Sequence, residues 1–172
     1  MLARGEHAVL EKSISFSEIL RRQFYPSFQM LANLIEACPE RQWTSQDAGN
    51  PFWQRIMHTL IGIQFWFRES DEECAAPDFG QGLVPDLDAA PAFSLTKQIV
   101  REYQAVIANR VHAFLSKMDD KRLVQISSIC GACTYADIII MQIRHIQHHV
   151  GYCNGLLHSN REGAIKWLGY AE

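Results

Sequence analysis

Four long stretches of this sequence repeat apolar residues with the period of an α-helix, and no stretch alternates apolar and polar residues as a half-buried strand does. The stretches are residues 15–37, 51–69, 95–117 and 135–157. Amphipathic helices of this length bury their apolar faces against one another. The pattern therefore predicts an all-α fold, and four such helices without strands predict a four-helix bundle.

The segment between the second and third helices differs from the other connections. Residues 70–91 contain three prolines, two glycines and several acids, and they show no helical period. A connection of this length is unusual in a small domain and allows the chain to cross over the bundle. We therefore expect a long crossover between helices two and three.

The sequence also predicts how individual helices begin or bend. Pro26 lies inside the first stretch and is expected to kink or split that helix. Asn50 followed by Pro51 predicts an N-cap and first helical residue for the second helix. Thr134 and Asp137 have the spacing of a capping box at the start of the fourth helix. Ser94 is expected to precede the third helix.

Composition bounds the class of protein. The chain of 172 residues is 48% apolar and 20% charged, which is typical of one globular domain. We expect residues 1–172 to form that domain, with a core over about 15–158 and a short C-terminal tail. The net charge of −3 gives no basic field for nucleic acid, and no segment approaches the length of a membrane span. Five cysteines and no signal-peptide pattern favour a cytoplasmic protein.

The fourth helix contains a cluster of histidines in the run "RHIQHHVGYC", residues 144–153. His145 and His149 are four residues apart and share a helix face, so they can present two nitrogens to one metal ion. Two histidines do not make a site. His58, on the most apolar helix, is the candidate for a third ligand, although a core histidine more often only makes hydrogen bonds. Metal binding and simple packing both remain open at this point.

The stretches "PFWQRIMHTLIGIQFWF" and "YADIIIMQIRHIQHHVGYCNGLL" resemble the second and fourth helices of the DinB/YfiT-like family, whose members are described as metalloenzymes. The resemblance covers about residues 15–170. It implies a four-helix bundle with one divalent metal ion held by three histidines, here His58, His145 and His149. It leaves His148 facing solvent or a subunit interface. Tyr152 departs from the family pattern, in which glutamine is common at this position.

The resemblance also implies a function. Some members of the family are transferases that act with a low-molecular-weight thiol, and isolated relatives are hydrolases. Three neutral imidazoles leave a coordination position open, which is typical of reactive metal sites. We therefore expect a metal-dependent enzyme with a small-molecule substrate. The alternative is a non-catalytic, metal-stabilised module in binding or stress response. Family members are often dimers, so a homodimer is a further expectation.

The sequence does not decide several details of this site. All-imidazole ligation suits zinc, nickel or iron and does not choose among them. Gln142 is a candidate to hold a second histidine nitrogen. Gly62 leaves room either for a substrate or for close approach of two helices. Cys130 and Cys133 form a C-x-x-C, which we interpret as two buried or incidental cysteines in preference to a redox or metal pair.

Overall fold

The computed structural model describes residues 13–47, 49–70, 77, 79–80, 82, 84, 86–89 and 91–170. Across these residues the regular structure is helical, apart from one isolated antiparallel bridge between Ile126 and Thr134. The helices are α1 (Phe16–Ala37), α2 (Glu40–Trp43), α3 (Phe52–Trp66), α4 (Lys97–Ser116), α5 (Asp120–Leu123) and α6 (Tyr135–Ser159). The prediction of an all-α fold is confirmed.

Helix α1 runs through Pro26 without being split. Ser15 caps its first turn, and its hydroxyl accepts from the backbone N–H of Glu18. Asp120, at the start of α5, accepts from the backbone N–H groups of Phe16 at 3.1 Å and Ser17 at 2.8 Å. These bonds satisfy amide donors that a helix N-terminus leaves free. They also lower the pKa of the Asp120 carboxyl below its usual value.

Two predicted helix starts need correction. Pro51 takes the N-cap position of α3, and helix α3 begins at Phe52. Asn50 does not cap the helix, because its side chain bonds to Gln54 and Arg55 instead of a backbone amide. Helix α4 is capped by Thr96, whose hydroxyl accepts from the backbone N–H of Ile99, so the helix starts later than the position after Ser94.

The predicted capping box of α6 is present. The Thr134 hydroxyl accepts from the Asp137 N–H at 3.1 Å, and the Asp137 carboxylate accepts from the Thr134 N–H at 2.9 Å.

Just before this cap, Cys130 and Cys133 are joined by a disulfide, so they are paired with each other and are not incidental free thiols. Over the described residues, none of the helices combines the length and the hydropathy that a membrane span requires.

The long helices pack around one apolar core. Helix α1 contacts α4 and α6, and α3 also contacts α4 and α6. The core is largely formed by their buried apolar faces. Part of the connection between α3 and α4 lies on α3, because the buried Gln54 donates to the backbone carbonyls of Asp86 and Ala89 at 3.0 and 3.1 Å. The contact between α3 and α6 determines where the histidines meet.

Candidate metal centre

Helices α3 and α6 bring three histidines to one point. His58 lies near the middle of α3, and His145 and His149 lie one turn apart on α6. The ring centroids are 5.3 Å apart for His58 and His145, 5.0 Å for His58 and His149, and 4.8 Å for His145 and His149. One nitrogen from each ring can be chosen so that all three lie within 4.8 Å of one another. The structure therefore joins residues that are 87 positions apart in the sequence.

The three imidazoles are held by packing and not by hydrogen bonds. Among the described residues, none of the three rings makes a hydrogen bond, and Nδ1 of His149 is buried without a partner. The His149 side chain is buried, whereas His58 and His145 are partly exposed. His58 is thus less enclosed than its apolar surroundings in the sequence suggested. A buried imidazole nitrogen normally has a hydrogen-bond partner. The lack of one at Nδ1 of His149 therefore fits a site that binds a cation.

Gly62 makes room for one of the rings. It lies four residues after His58 on α3, and a Cβ atom built there would come within 2.7 Å of Cε1 and 3.2 Å of Nδ1 of His145. The missing side chain therefore accommodates the His145 imidazole rather than a substrate. Gly151, by contrast, is exposed and a Cβ there would meet nothing within 4 Å, so it makes no close helix contact within the described chain.

Burial keeps the three rings neutral. Desolvation, together with smaller contributions from the neighbouring His58 and His148, lowers the pKa of His145 to about 4. Desolvation likewise lowers the pKa of His149 to about 3, with additional contributions from the other histidines and from Arg55. The pKa of His58 is also lowered, mainly by burial, although Asp86 acts in the opposite direction. At neutral pH the imidazoles therefore have free lone pairs, which metal binding requires.

Two neighbouring residues, Arg55 and Asp86, were not predicted from the sequence to lie at the site. Arg55 lies one turn before His58 and stacks on Tyr152, with Cζ 3.9 Å from the ring centroid. Asp86 is exposed, and its charge acts on His58. The position of Arg55 follows from its spacing of three from His58, whereas no pattern in residues 70–91 could have predicted that Asp86 comes near the centre.

Other candidate residues do not take part. His148 is exposed, as predicted. Gln142 is buried, but its Oε1 has no hydrogen-bond partner, so it does not hold a histidine nitrogen and that prediction is wrong. Cys38 and Cys153 are buried, and desolvation raises the pKa of each thiol to about 12. These two cysteines are therefore protonated at neutral pH and are poor nucleophiles.

The arrangement is suited to a divalent transition metal. Three imidazoles from two helices offer three neutral donors, and an ion bound by them would not be enclosed on all sides. The orphaned nitrogen of His149 and the space that Gly62 leaves for His145 both fit this role. Unlike a closed four-ligand structural site, such a centre leaves a position for an exogenous ligand.

Comparison with known proteins gives a family and no individual relative. No curated protein and no solved structure matches the chain. The model of one family, the DinB superfamily, matches residues 23–153, which include most of α1, all of α3 and α4, and α6 as far as Cys153. The matched range includes all three histidines of the centre. The chain belongs to the DinB superfamily.

Proposed function

We propose that this protein is a metal-dependent enzyme in which His58, His145 and His149 bind one divalent ion of zinc, nickel or iron. The reaction that we propose is transfer involving a low-molecular-weight thiol and a small-molecule substrate. The observation that supports this most is the convergence of three imidazole nitrogens within 4.8 Å without hydrogen bonds. Superfamily membership supports it independently.

Each residue of the centre contributes a defined property. A bound dication supplies Lewis acidity, which lowers the pKa of a thiol or water at its free position. The three histidines stay neutral, so they leave the charge of the ion undiminished. Gly62 fixes where the His145 ring can lie. The capped α6 helix keeps His145 and His149 one turn apart.

The cysteines of the chain support an exogenous thiol. Among the described cysteines, Cys38 and Cys153 are buried with raised pKa values, and Cys130 and Cys133 are bonded to each other. None of these four offers an exposed thiolate for group transfer. Cys74 lies outside the described residues, so the proposal that a small molecule supplies the thiol nucleophile is supported by the other four cysteines.

The proposal includes an architecture and a setting. We propose that α1, α3, α4 and α6 form a four-helix bundle with a crossover between α3 and α4, within one domain over residues 1–172. The packing of both α1 and α3 against α4 and α6 supports this. We further propose a cytoplasmic homodimer that does not bind nucleic acid or membranes.

Metal content tests the site. Purified protein loaded with zinc or nickel and then desalted should contain about one ion per chain. The variants His58→Ala, His145→Ala and His149→Ala should each lose it, because two remaining imidazoles bind weakly. His148→Ala is the matched control on the same helix and should retain it. Retention by His149→Ala together with loss in His148→Ala would contradict the ligand set.

Thiol binding tests the reaction class. Protein substituted with Co²⁺ should change its visible absorption when 2-mercaptoethanol is added, because a sulfur ligand alters the cobalt spectrum. Turnover would then be sought with thiols and electrophilic substrates. If no thiol changes the visible absorption of the cobalt protein, and the protein hydrolyses esters or amides, a hydrolase is favoured. A centre that does neither would favour the metal-stabilised binding module.

A further inference from the structure

We infer that Arg55 binds a carboxylate of the small molecule that acts at the three-histidine centre. The inference rests on the proposed function and adds the charge of the ligand to it. It also gives a role to Tyr152, the residue that departs from the family pattern. Tyr152 acts as a positioning residue, since it holds the Arg55 guanidinium in place.

Arg55 lies on the face of α3 that carries His58, and it contacts α6, the helix that carries the other two histidines. It precedes His58 by three residues on α3, a spacing that puts both side chains on one helix face. Tyr152 follows His149 by three residues on α6. The guanidinium stacks on the Tyr152 ring at 3.9 Å and so bridges the same two helices that form the centre. The charge of Arg55 contributes to the lowered pKa of both His58 and His149, in agreement with this placement.

The charge of Arg55 has no counterion among the described residues. Its Nη2 donates to Oδ1 of Asn50 at 3.4 Å, a long hydrogen bond to a neutral acceptor. Its Nε is buried and has no partner. A guanidinium has five N–H donors and stays protonated at any ordinary pH. Three of the five donors, those on Nη1 and the second on Nη2, are therefore left for a ligand, and no anion among the described residues pairs with the charge.

This arrangement is unfavourable for a site that binds only a metal. A fixed positive charge one helical turn from His58 repels a dication, and the three neutral imidazoles do not offset it. The Asp86 carboxylate opposes this charge at His58, but it is exposed and therefore screened by solvent. An anion placed between the Arg55 guanidinium and the open coordination position of the metal would be attracted to both positive charges. The repulsion between them would then be replaced by attraction to the anion. The planar guanidinium matches a carboxylate, which can accept two parallel N–H bonds. The ligand is therefore a small molecule with a metal-binding group and a nearby carboxylate.

The experiment compares thiols that carry a carboxylate with thiols of similar length in which a neutral hydroxymethyl group replaces it. Co²⁺-loaded protein is titrated with mercaptoacetate and 3-mercaptopropionate, and with the neutral 2-mercaptoethanol and 3-mercapto-1-propanol, while visible absorption is followed. The measured quantity is the ratio of neutral to anionic dissociation constants. This ratio should fall about tenfold or more from wild type to Arg55→Gln, the size expected for a hydrogen bond to a charged group. Comparison between proteins cancels the intrinsic preference of cobalt.

Control variants separate charge from structure. Arg22→Gln is the matched control, because Arg22 also stacks on a tyrosine, Tyr170, but lies on α1 outside the centre. It should leave the ratio unchanged. Arg55→Lys keeps the charge and should retain part of the preference, which covers the case in which Arg55→Gln fails to fold. Tyr152→Leu should reduce the ratio, whereas Tyr152→Phe should keep the ratio of wild type because the stacking ring remains.

The outcomes are distinguishable. If neutral and anionic thiols bind and their ratio is the same in wild type, Arg55→Gln and Arg55→Lys, the role of Arg55 is overturned while the proposed function stands. If the protein binds no metal or no thiol of either kind, both proposals fail together. A fall in the ratio that is equally large in Arg22→Gln would also overturn the inference, since the effect would then not be specific to the centre.

Discussion

At the scale of single residues, partial or full burial keeps His145 and His149 in the neutral form that metal binding would require. Their shared face was predictable, because a spacing of four fixes two side chains on one side of a helix. Their lowered pKa values were not, because desolvation depends on the neighbouring helix. From its place on an apolar helix His58 was only a candidate for the third ligand, and the resemblance then assigned it to the site. Its distances to the other two rings come from the packing of α3 on α6.

A first prediction concerns Gly62. In Gly62→Ala the new Cβ would meet the His145 ring at 2.7 Å, so the ring must turn away from its two partners. We expect metal affinity to fall about 10- to 100-fold, as when a metal ligand loses its orientation. Competition with a chromophoric chelator measures this. Gly151→Ala is the control: it should keep the affinity of wild type and raise the free energy of unfolding by about 0.5–1 kcal/mol. Equal affinities in all three proteins would contradict the packing role of Gly62.

A second prediction concerns the pH dependence of the metal-free protein. The folded histidines have lowered pKa values, and the unfolded chain has the ordinary value near 6.5. Below pH 6.5 the unfolded state therefore binds more protons, and the free energy of unfolding falls as the pH falls toward about 4. Each histidine contributes at most about 1.4 kcal/mol per pH unit. Urea unfolding at pH 7 and pH 5 should show a smaller loss in the double variant His145→Gln/His149→Gln; a loss as large as in wild type would refute the assignment.

At the scale of helices, the sequence predicted periodic segments better than their ends. The bounds of α1 and α6 agree closely with residues 15–37 and 135–157. The short helices α2 and α5 span four residues each, which is too short for a 3.6-residue period to appear. Caps also depend on competition between partners. Thr134 has its predicted partner Asp137, whereas Asn50 instead bonds to side chains on α3.

A third prediction therefore concerns the cap of α6. Thr134→Ala removes the hydroxyl that accepts from the Asp137 N–H, and one acceptor at the helix start is lost. The free energy of unfolding should decrease by about 1 kcal/mol. Thr134→Ser keeps the hydroxyl and should recover most of this. Metal stoichiometry should be unchanged in both variants, because His145 lies three turns further along the helix. An unchanged free energy of unfolding in Thr134→Ala would show that the capping box contributes little to stability.

At the scale of the whole molecule, the centre depends on contacts that no local pattern encodes. Arg55 approaches Tyr152 only because α3 packs on α6. Asp86, whose charge acts on His58, lies in a distant segment whose backbone carbonyls accept hydrogen bonds from Gln54. Helical periodicity predicts which faces are buried, but several pairings of faces can bury the same residues. The sequence therefore predicted the all-α class and the ligand candidates, and the structure was needed for the surroundings that set their chemistry.

A fourth prediction follows from this long-range closure. An ion held by α3 and α6 binds the folded chain, and an unfolded chain offers His58 and the α6 pair no common position. Zinc at about 100 times its dissociation constant should therefore raise the free energy of unfolding by about 2.7 kcal/mol. For a chain of this size that corresponds to a rise in Tm of about 5–10 °C, measurable by calorimetry and reversed by a chelator. His148→Ala should show the same rise and His149→Ala none. An undiminished rise in His149→Ala would mean that zinc stabilises the protein from another site, and the link between the two helices would lose its support.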